Sequence, residues 1–178
     1  AWVSAHAEAI QSTLAQCGAL VFRGFGLASD ADFDRFIQAF SWPNFTYAES
    51  LSNAVRRNRT PRVFTANEAP PDVQIYLHHE MAQTPVYPSR LFFFCEKPAS
   101  GGGATPICRS DWLLERLHKV VPNFVDDCAN KGVRYSQTMP AQDDLASGQG
   151  RSWRSTFSTD DKAAVSYTHL RAHETDYY

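Results

Sequence analysis

The sequence has few cysteines, no long hydrophobic run and no excess of either charge, and each of these absences excludes a class of protein. Its four cysteines are widely spaced among 178 residues and form no Cys-x-x-Cys pair. This pattern argues against a disulfide framework or a zinc site and favours reduced thiols, and hence a cytoplasmic location. No apolar stretch approaches the ~20 residues that a membrane-spanning helix needs. The 17 Lys and Arg against 19 Asp and Glu leave no basic surplus to attract nucleic acid, so we expect neither a membrane nor nucleic acid as a partner.

What the sequence does contain is an alternation of helical and strand-like patterns with many aromatic residues. Twelve Phe lead an aromatic content of 13%, which favours a sheet-rich interior. Helices are predicted over residues 3–17, after Ser29, from Ser110 and after Pro122, because apolar residues recur there every three or four positions next to capping signals. In the helix from Ser110 the side chains expected to be buried are Trp112, Leu113 and Leu117. Strands are predicted over residues 19–22, 62–66, 73–77, 90–96, 105–108 and 133–138.

The last thirteen residues, 166–178, show no continuity with the preceding sequence and resemble translated sequencing-adapter read-through. We therefore expect one domain over residues 1–165 followed by a non-native tail. Within the tail, His169 and His173 have the i, i+4 spacing of a metal-binding pair on a helix. A zinc hydrolase built on that pair is discounted because the tail looks foreign.

One short cluster, His78-His79-Glu80, carries the ligand types of a metal site. Alternate side chains of an extended segment share a face, so His78 and Glu80 are expected to point together while His79 points away. One imidazole and one carboxylate make two-thirds of the facial triad of two histidines and one carboxylate that suits non-haem Fe(II). A His-x-Glu triplet is common by chance, so taken alone it also fits an ordinary surface turn.

The order of several motifs resembles a known family. Residues 18–25 (GALVFRGF), 77–81 (LHHEM), 90–95 (RLFFFC) and 102–107 (GGATPI) are similar in order and spacing to the TauD/TfdA family of Fe(II)/2-oxoglutarate-dependent dioxygenases. Residues 148–157 (GQGRSWRSTF) and 159–161 (TDD) resemble its SyrP-like branch. The resemblance covers about residues 14–164.

This resemblance implies a fold and a set of cofactors. The fold would be mixed α+β with a mainly β core, a double-stranded β-helix (jelly roll) of the clavaminate synthase-like type with flanking helices, incomplete at its C-terminal end. His78 and Glu80 would be Fe(II) ligands, and Thr105 would hydrogen-bond the cosubstrate 2-oxoglutarate. The third ligand, a histidine, and an arginine that pairs with 2-oxoglutarate would fall beyond the end of this chain, so the chain alone is expected to be inactive.

The implied reaction is hydroxylation of an unactivated C–H bond in a small amino-acid-like or sulfonate-like substrate, either free or tethered to a carrier protein. The sequence does not favour a particular substrate or oligomeric state. An alternative from another class stays open, a metal-free cupin-like binding or structural domain in which His78 and Glu80 are polar rim residues. The two hypotheses differ in whether Fe(II) and 2-oxoglutarate bind.

Overall fold

The computed structural model describes residues 1–47, 52, 54, 56–66, 73–82, 84, 86–136, 138–144 and 150–165. Helices are the regular elements of these residues, in the order α1 (Trp2–Ala5), α2 (Ala7–Cys17), α3 (Asp30–Gln38), α4 (Ser110–Val120), α5 (Pro122–Lys131), α6 (Trp153–Phe157) and α7 (Lys162–Val165). The chain divides into two compact units. The first comprises Ala1–Asn44, Ile75–His79 and Ser89–Ser136, and the second Phe45–Gln74, Glu80–Pro88 and Gln137–Tyr178.

The first unit begins with the helix predicted over residues 3–17, which the structure confirms with one interruption. The break falls at His6, whose backbone leaves helical geometry between α1 and α2. The helix then ends at Gly18, which has a φ of +80° and donates its N–H to the carbonyl of Leu14. Glycine adopts this left-handed conformation without the steric penalty that a Cβ brings, which is why the helix stops there.

The start of α3 is the predicted capping arrangement. The Ser29 side chain accepts a hydrogen bond from the Asp32 N–H at 3.2 Å, and its hydroxyl donates to the Asp32 carboxylate at 2.7 Å. These contacts satisfy one of the amide groups that the first turn of a helix leaves without a partner. The helix begins at Asp30, directly after this cap, and carries Phe33 and Phe36 on its buried face.

Aromatic rings from α3 and from an extended segment make the core of the first unit. The buried cluster is Val3, Ile10, Phe36 and Phe40, with partly buried neighbours such as Phe22, Trp42 and Phe92 packed against it. Phe92 lies 5.3 Å from Phe40, and Phe94 stacks on Phe33 at 5.2 Å (centroid distances). Phe93, between them in sequence, is 74% exposed. The segment therefore alternates inward and outward side chains as a strand does.

The predicted jelly roll is wrong for the described residues. Within them, strand pairing is confined to one isolated antiparallel bridge between Asn58 and Phe64. The segments over 19–22, 73–77, 90–96, 105–108 and 133–136 have no regular secondary structure, and none takes part in a ladder of backbone hydrogen bonds. Alternation and β-branched or aromatic content predict an extended backbone, whereas a sheet also needs a neighbouring backbone in register. The part of the chain that is described contains helices and no β core.

Helices α4 and α5 form a hairpin in the first unit. Ser110, expected to cap α4, is its first helical residue, and Arg109 is the cap. Pro122 opens α5 and Gly132 follows its last residue, as predicted. Trp112 and Leu113 were expected to be buried, yet Trp112 is 64% exposed and Leu113 is exposed as well. Only Leu117 of the three is partly covered. Helical periodicity locates an apolar stripe but not what covers it, so the expected burial of Trp112 and Leu113 is wrong.

The second unit is held by an arginine that binds three carbonyl groups. The Arg151 guanidinium donates to the backbone oxygens of Tyr47 at 3.3 Å, Ser52 at 2.8 Å and Ser155 at 2.8 Å. Burial lowers the pKa of Arg151, an effect that the Asp143 carboxylate partly offsets. Because carbonyl oxygens need partners where water is excluded, this one side chain links three backbone positions of the second unit.

Two further observations bear on the predictions from composition. No helix of the described residues combines the length and the apolar character needed to cross a bilayer. The four cysteines are free thiols, three of them exposed. The tail from residue 166 onward, with His169 and His173, lies outside the described residues.

Candidate metal centre

His78 lies near the end of an exposed, extended segment over residues 73–79. Its Nδ1 is 2.6 Å from the backbone oxygen of Tyr76. A carbonyl only accepts hydrogen bonds, so Nδ1 must carry a proton, and in the neutral ring Nε2 then keeps its lone pair. This is the arrangement in which histidines bind metals, because a hydrogen bond from one ring nitrogen fixes both the tautomer and the orientation of the ring. Nε2 of His78 has no hydrogen-bond partner among the described residues.

His79 makes a different contact from its neighbour. Its Nε2 is 2.7 Å from the hydroxyl of Ser110, the first residue of α4. The contact ties the 73–79 segment to the start of that helix and occupies the nitrogen that is most accessible on an imidazole. His79 therefore makes a structural contact within the first unit.

Glu80 begins a turn and belongs to the second unit. Residues 80–82 leave the extended conformation, and Met81 adopts a φ of +60°. The Glu80 Oε1 atom accepts a hydrogen bond from the Tyr47 hydroxyl at 2.8 Å and from the Arg56 guanidinium at 3.1 Å. The side chains of Arg56 and Glu80 are only 16% and 15% exposed, so solvent screens this ion pair less than it would a surface pair.

The two donors to this carboxylate also contact each other, and Phe64 packs against one of them. The Arg56 guanidinium lies over the Tyr47 ring at 4.5 Å from its centroid, and Phe64 meets that ring edge-on at 5.2 Å. Burial raises the pKa of Tyr47 above its ordinary range, and the Glu80 charge raises it further, against the opposing effect of Arg56. Tyr47 is therefore a neutral phenol at any physiological pH, and its hydroxyl donates a hydrogen bond to Glu80.

Thr105, the predicted 2-oxoglutarate contact, lies in an exposed extended segment of the first unit after a glycine turn. Gly102 and Gly103 both have positive φ values, which set the direction in which this segment leaves the turn. The Thr105 hydroxyl makes no hydrogen bond among the described residues, so it has a donor and an acceptor available.

The donor atoms of His78 and Glu80 match part of the ligand set of a non-haem Fe(II) site. His78 offers an imidazole nitrogen, and Glu80 offers Oε2, which has no hydrogen-bond partner within the described part of the chain. The two residues are two positions apart in the sequence and belong to different units, His78 to the first and Glu80 to the second. Nitrogen and carboxylate oxygen are the donors that non-haem Fe(II) takes. No group of three His, Cys, Asp or Glu side chains able to hold a metal occurs among the residues the structure describes. The roles of His78, Glu80 and Thr105 stay predictions.

The sequence analysis missed Tyr47 and Arg56. Between residues 44 and 71 the sequence predicts only the strand over residues 62–66. The two side chains are 33 and 24 residues from Glu80, and no periodicity connects positions at such separations. No motif includes either residue.

Comparison with known proteins identifies the class. The chain belongs to the family described as taurine catabolism dioxygenase TauD, TfdA family, which it matches over residues 1–175. It is 42% identical over 153 residues to a clavaminate synthase-like protein of Arabidopsis thaliana, covering 86% of this chain and 46% of that protein. It is 30% identical over 156 residues to the dapdiamide synthesis protein DdaC of Enterobacter agglomerans, covering 88% of this chain and 44% of that protein. The chain thus spans about half the length of these two relatives. The family resemblance stated from the motifs is confirmed.

Proposed function

We propose that this chain is part of an Fe(II)- and 2-oxoglutarate-dependent dioxygenase that hydroxylates an unactivated C–H bond. The observation that carries the proposal is the match to a dioxygenase family over residues 1–175. When bound, Fe(II) and 2-oxoglutarate supply oxidising chemistry in which O₂ provides one oxygen atom to the substrate hydroxyl and one to succinate, with release of CO₂. Because the relatives are about twice as long, the proposal concerns the full-length protein.

The chain's own residues would bind and orient the cofactors. His78 would offer Nε2 to the metal, its ring held by the hydrogen bond from Nδ1 to the Tyr76 carbonyl. Glu80 would offer a carboxylate oxygen and neutralise part of the metal charge. Thr105 would donate its hydroxyl to 2-oxoglutarate, for which it has no competing partner among the described residues. The protein's contribution to such chemistry is binding, orientation and exclusion of water.

We propose a small amino-acid-like or sulfonate-like substrate, free or tethered to a carrier protein, and a cytoplasmic location. Two names support this substrate class. The family is named for catabolism of taurine, which carries an amine and a sulfonate, and one relative is named for dapdiamide synthesis. Both names point to small nitrogen-containing molecules rather than to a polymer.

The test is succinate formation by the full-length protein with Fe(II), 2-oxoglutarate and O₂. Glu80→Ala should abolish turnover because a carboxylate ligand fixes the geometry and charge of the metal. His79→Ala is the matched control, since it removes an adjacent imidazole that contacts Ser110, and it should cost much less. Equal losses from the two substitutions would contradict the assignment. Absence of any Fe(II) and 2-oxoglutarate binding would instead favour the metal-free cupin-like alternative.

A further inference from the structure

We propose that Tyr47 and Arg56 are positioning residues for Glu80, which hold one carboxylate oxygen so that the other is presented to the metal. This inference rests on the proposed function, because it concerns how Glu80 is prepared as a ligand. It assigns a role to two residues that no motif identifies. All three residues belong to the second unit.

The two donors converge on the same atom. The Tyr47 hydroxyl and the Arg56 guanidinium both donate to Oε1 of Glu80, at 2.8 Å and 3.1 Å. Oε2 receives no hydrogen bond from the described residues. A carboxylate can accept from several donors, so two donors on one oxygen fix the rotation of the group and leave the second oxygen with its lone pairs. Such an arrangement presents a single oxygen to a metal.

The donors are themselves held by other groups. Phe45 and Phe64 both meet the Tyr47 ring edge-on, at centroid distances of 5.9 Å and 5.2 Å. The backbone oxygen of Tyr47 accepts from Arg151, and a second nitrogen of Arg56 lies 3.4 Å from the backbone oxygen of Thr65. Neither donor can follow a displaced carboxylate without breaking these contacts.

The ion pair of Arg56 and Glu80 leaves Oε2 of Glu80 accessible. Both side chains are mostly buried, yet among the described residues Oε2 is not one of the buried atoms that lack a partner, so it is open to solvent or to a cation. A buried ion pair is by itself weak evidence for a stabilising role. We therefore assign this pair to the orientation of the carboxylate. Residues that orient a metal ligand in this way typically change metal affinity or activity 10–100-fold when removed.

The experiment measures metal binding directly and does not rely on turnover. Mn(II) is titrated into the full-length protein under saturating 2-oxoglutarate, and unbound Mn(II) is followed by electron paramagnetic resonance. The variants are Tyr47→Phe, which removes one oxygen atom and keeps the ring contacts, and Arg56→Gln. The matched controls are Tyr87→Phe, at an exposed tyrosine, and Arg57→Gln, at the exposed neighbouring arginine.

We expect Tyr47→Phe and Arg56→Gln to raise the Kd for Mn(II) by about 10–100-fold. The controls should stay within about twofold, as for surface substitutions. Arg56→Lys should restore part of the loss, because an ammonium group can still donate to Oε1. Thermal unfolding of each apo variant is measured in parallel. A lower melting temperature with an unchanged Kd would show that the residues serve stability alone and would overturn the inference.

The Mn(II) titration distinguishes a failure of the positioning role from a failure of the proposed function. If the parent protein binds Mn(II), Glu80→Ala abolishes binding and both Tyr47→Phe and Arg56→Gln bind normally, only the positioning role is overturned. If the parent protein does not bind Mn(II), or Glu80→Ala binds as well as the parent, the proposed function itself is overturned. Should Arg56→Gln fail to fold, Tyr47→Phe decides, because it removes a single hydroxyl.

Discussion

Phe40→Ala tests the aromatic core that replaces the predicted β core. Phe40 is 4% exposed and its ring lies 4.7 Å from Trp42, 5.3 Å from Phe92 and 5.7 Å from Phe36, measured between centroids. Truncation of a buried Phe to Ala costs about 3–5 kcal/mol, the sum of lost transfer free energy and the cavity left behind. Each aromatic pair adds about 0.5–1.5 kcal/mol beyond burial, which places Phe40 in the upper part of that range.

The assay is urea unfolding followed by far-ultraviolet circular dichroism, together with thermal unfolding. At roughly 2–4 °C per kcal/mol for a chain of this length, Phe40→Ala should lower the melting temperature by about 6–20 °C. Phe93→Ala is the control, since it removes the same side chain from a site that is 74% exposed. It should change the free energy of unfolding by no more than about 0.5 kcal/mol.

The comparison between the two phenylalanines tests which face of the segment over residues 90–96 is covered. If both faces were covered, Phe93→Ala would be costly too. In the structure described here only the inward face is covered. A Phe93→Ala variant as destabilised as Phe40→Ala would refute the packing argument, as would a cost below about 1 kcal/mol for Phe40→Ala.

Two further predictions concern a helix end and a carboxylate. Gly18→Ala should lower the free energy of unfolding by about 1–2 kcal/mol in chemical denaturation, because the left-handed backbone disfavours a Cβ and the new atom would lie 2.9 Å from the Arg109 side chain. An unchanged midpoint would mean that α2 does not need this cap. Asp143 has a lowered pKa, first because of the Ser152 N–H and then because of the Ser155 hydroxyl. Its stabilising contribution is therefore complete above the ordinary value of 3.8 and is lost as the pH falls through the lower folded value. Asp143→Asn should therefore reduce the loss of unfolding free energy at acidic pH, measured as stability against pH. An unchanged pH dependence would contradict the role given to Asp143.

Helix boundaries followed from the sequence because their signals are local. The cap at Ser29, the proline that opens α5 and the glycines after α2 and α5 all act through hydrogen bonds or backbone angles within one turn. The short helices α6 and α7 were not predicted, and neither was the break at His6. The apolar stripe around it continues, and the interruption is visible only in the backbone.

Sheet formation could not be predicted from the same sequence. The alternation of Phe92, Phe93 and Phe94 correctly indicates which rings point inward, and inward packing against Phe40 and Phe33 satisfies it. A ladder depends on a second backbone far away in sequence, and no local pattern reports whether that backbone is adjacent. The exposure of Trp112 has the same origin, because periodicity identifies an apolar face and says nothing about its partner.

For the candidate metal ligands, too, the sequence determined one part and the tertiary structure another. The types and spacing of His78 and Glu80 were evident in the sequence, as was the family, because ligand chemistry belongs to the residues themselves. The tertiary structure alone decided that Nδ1 of His78 is bonded to a carbonyl and that Tyr47 and Arg56 share one oxygen of Glu80. Hydrogen bonds between residues 24 and 33 positions apart form only when the tertiary fold brings those positions together. That fold depends on many weak contacts along the whole chain, which no local sequence pattern reports.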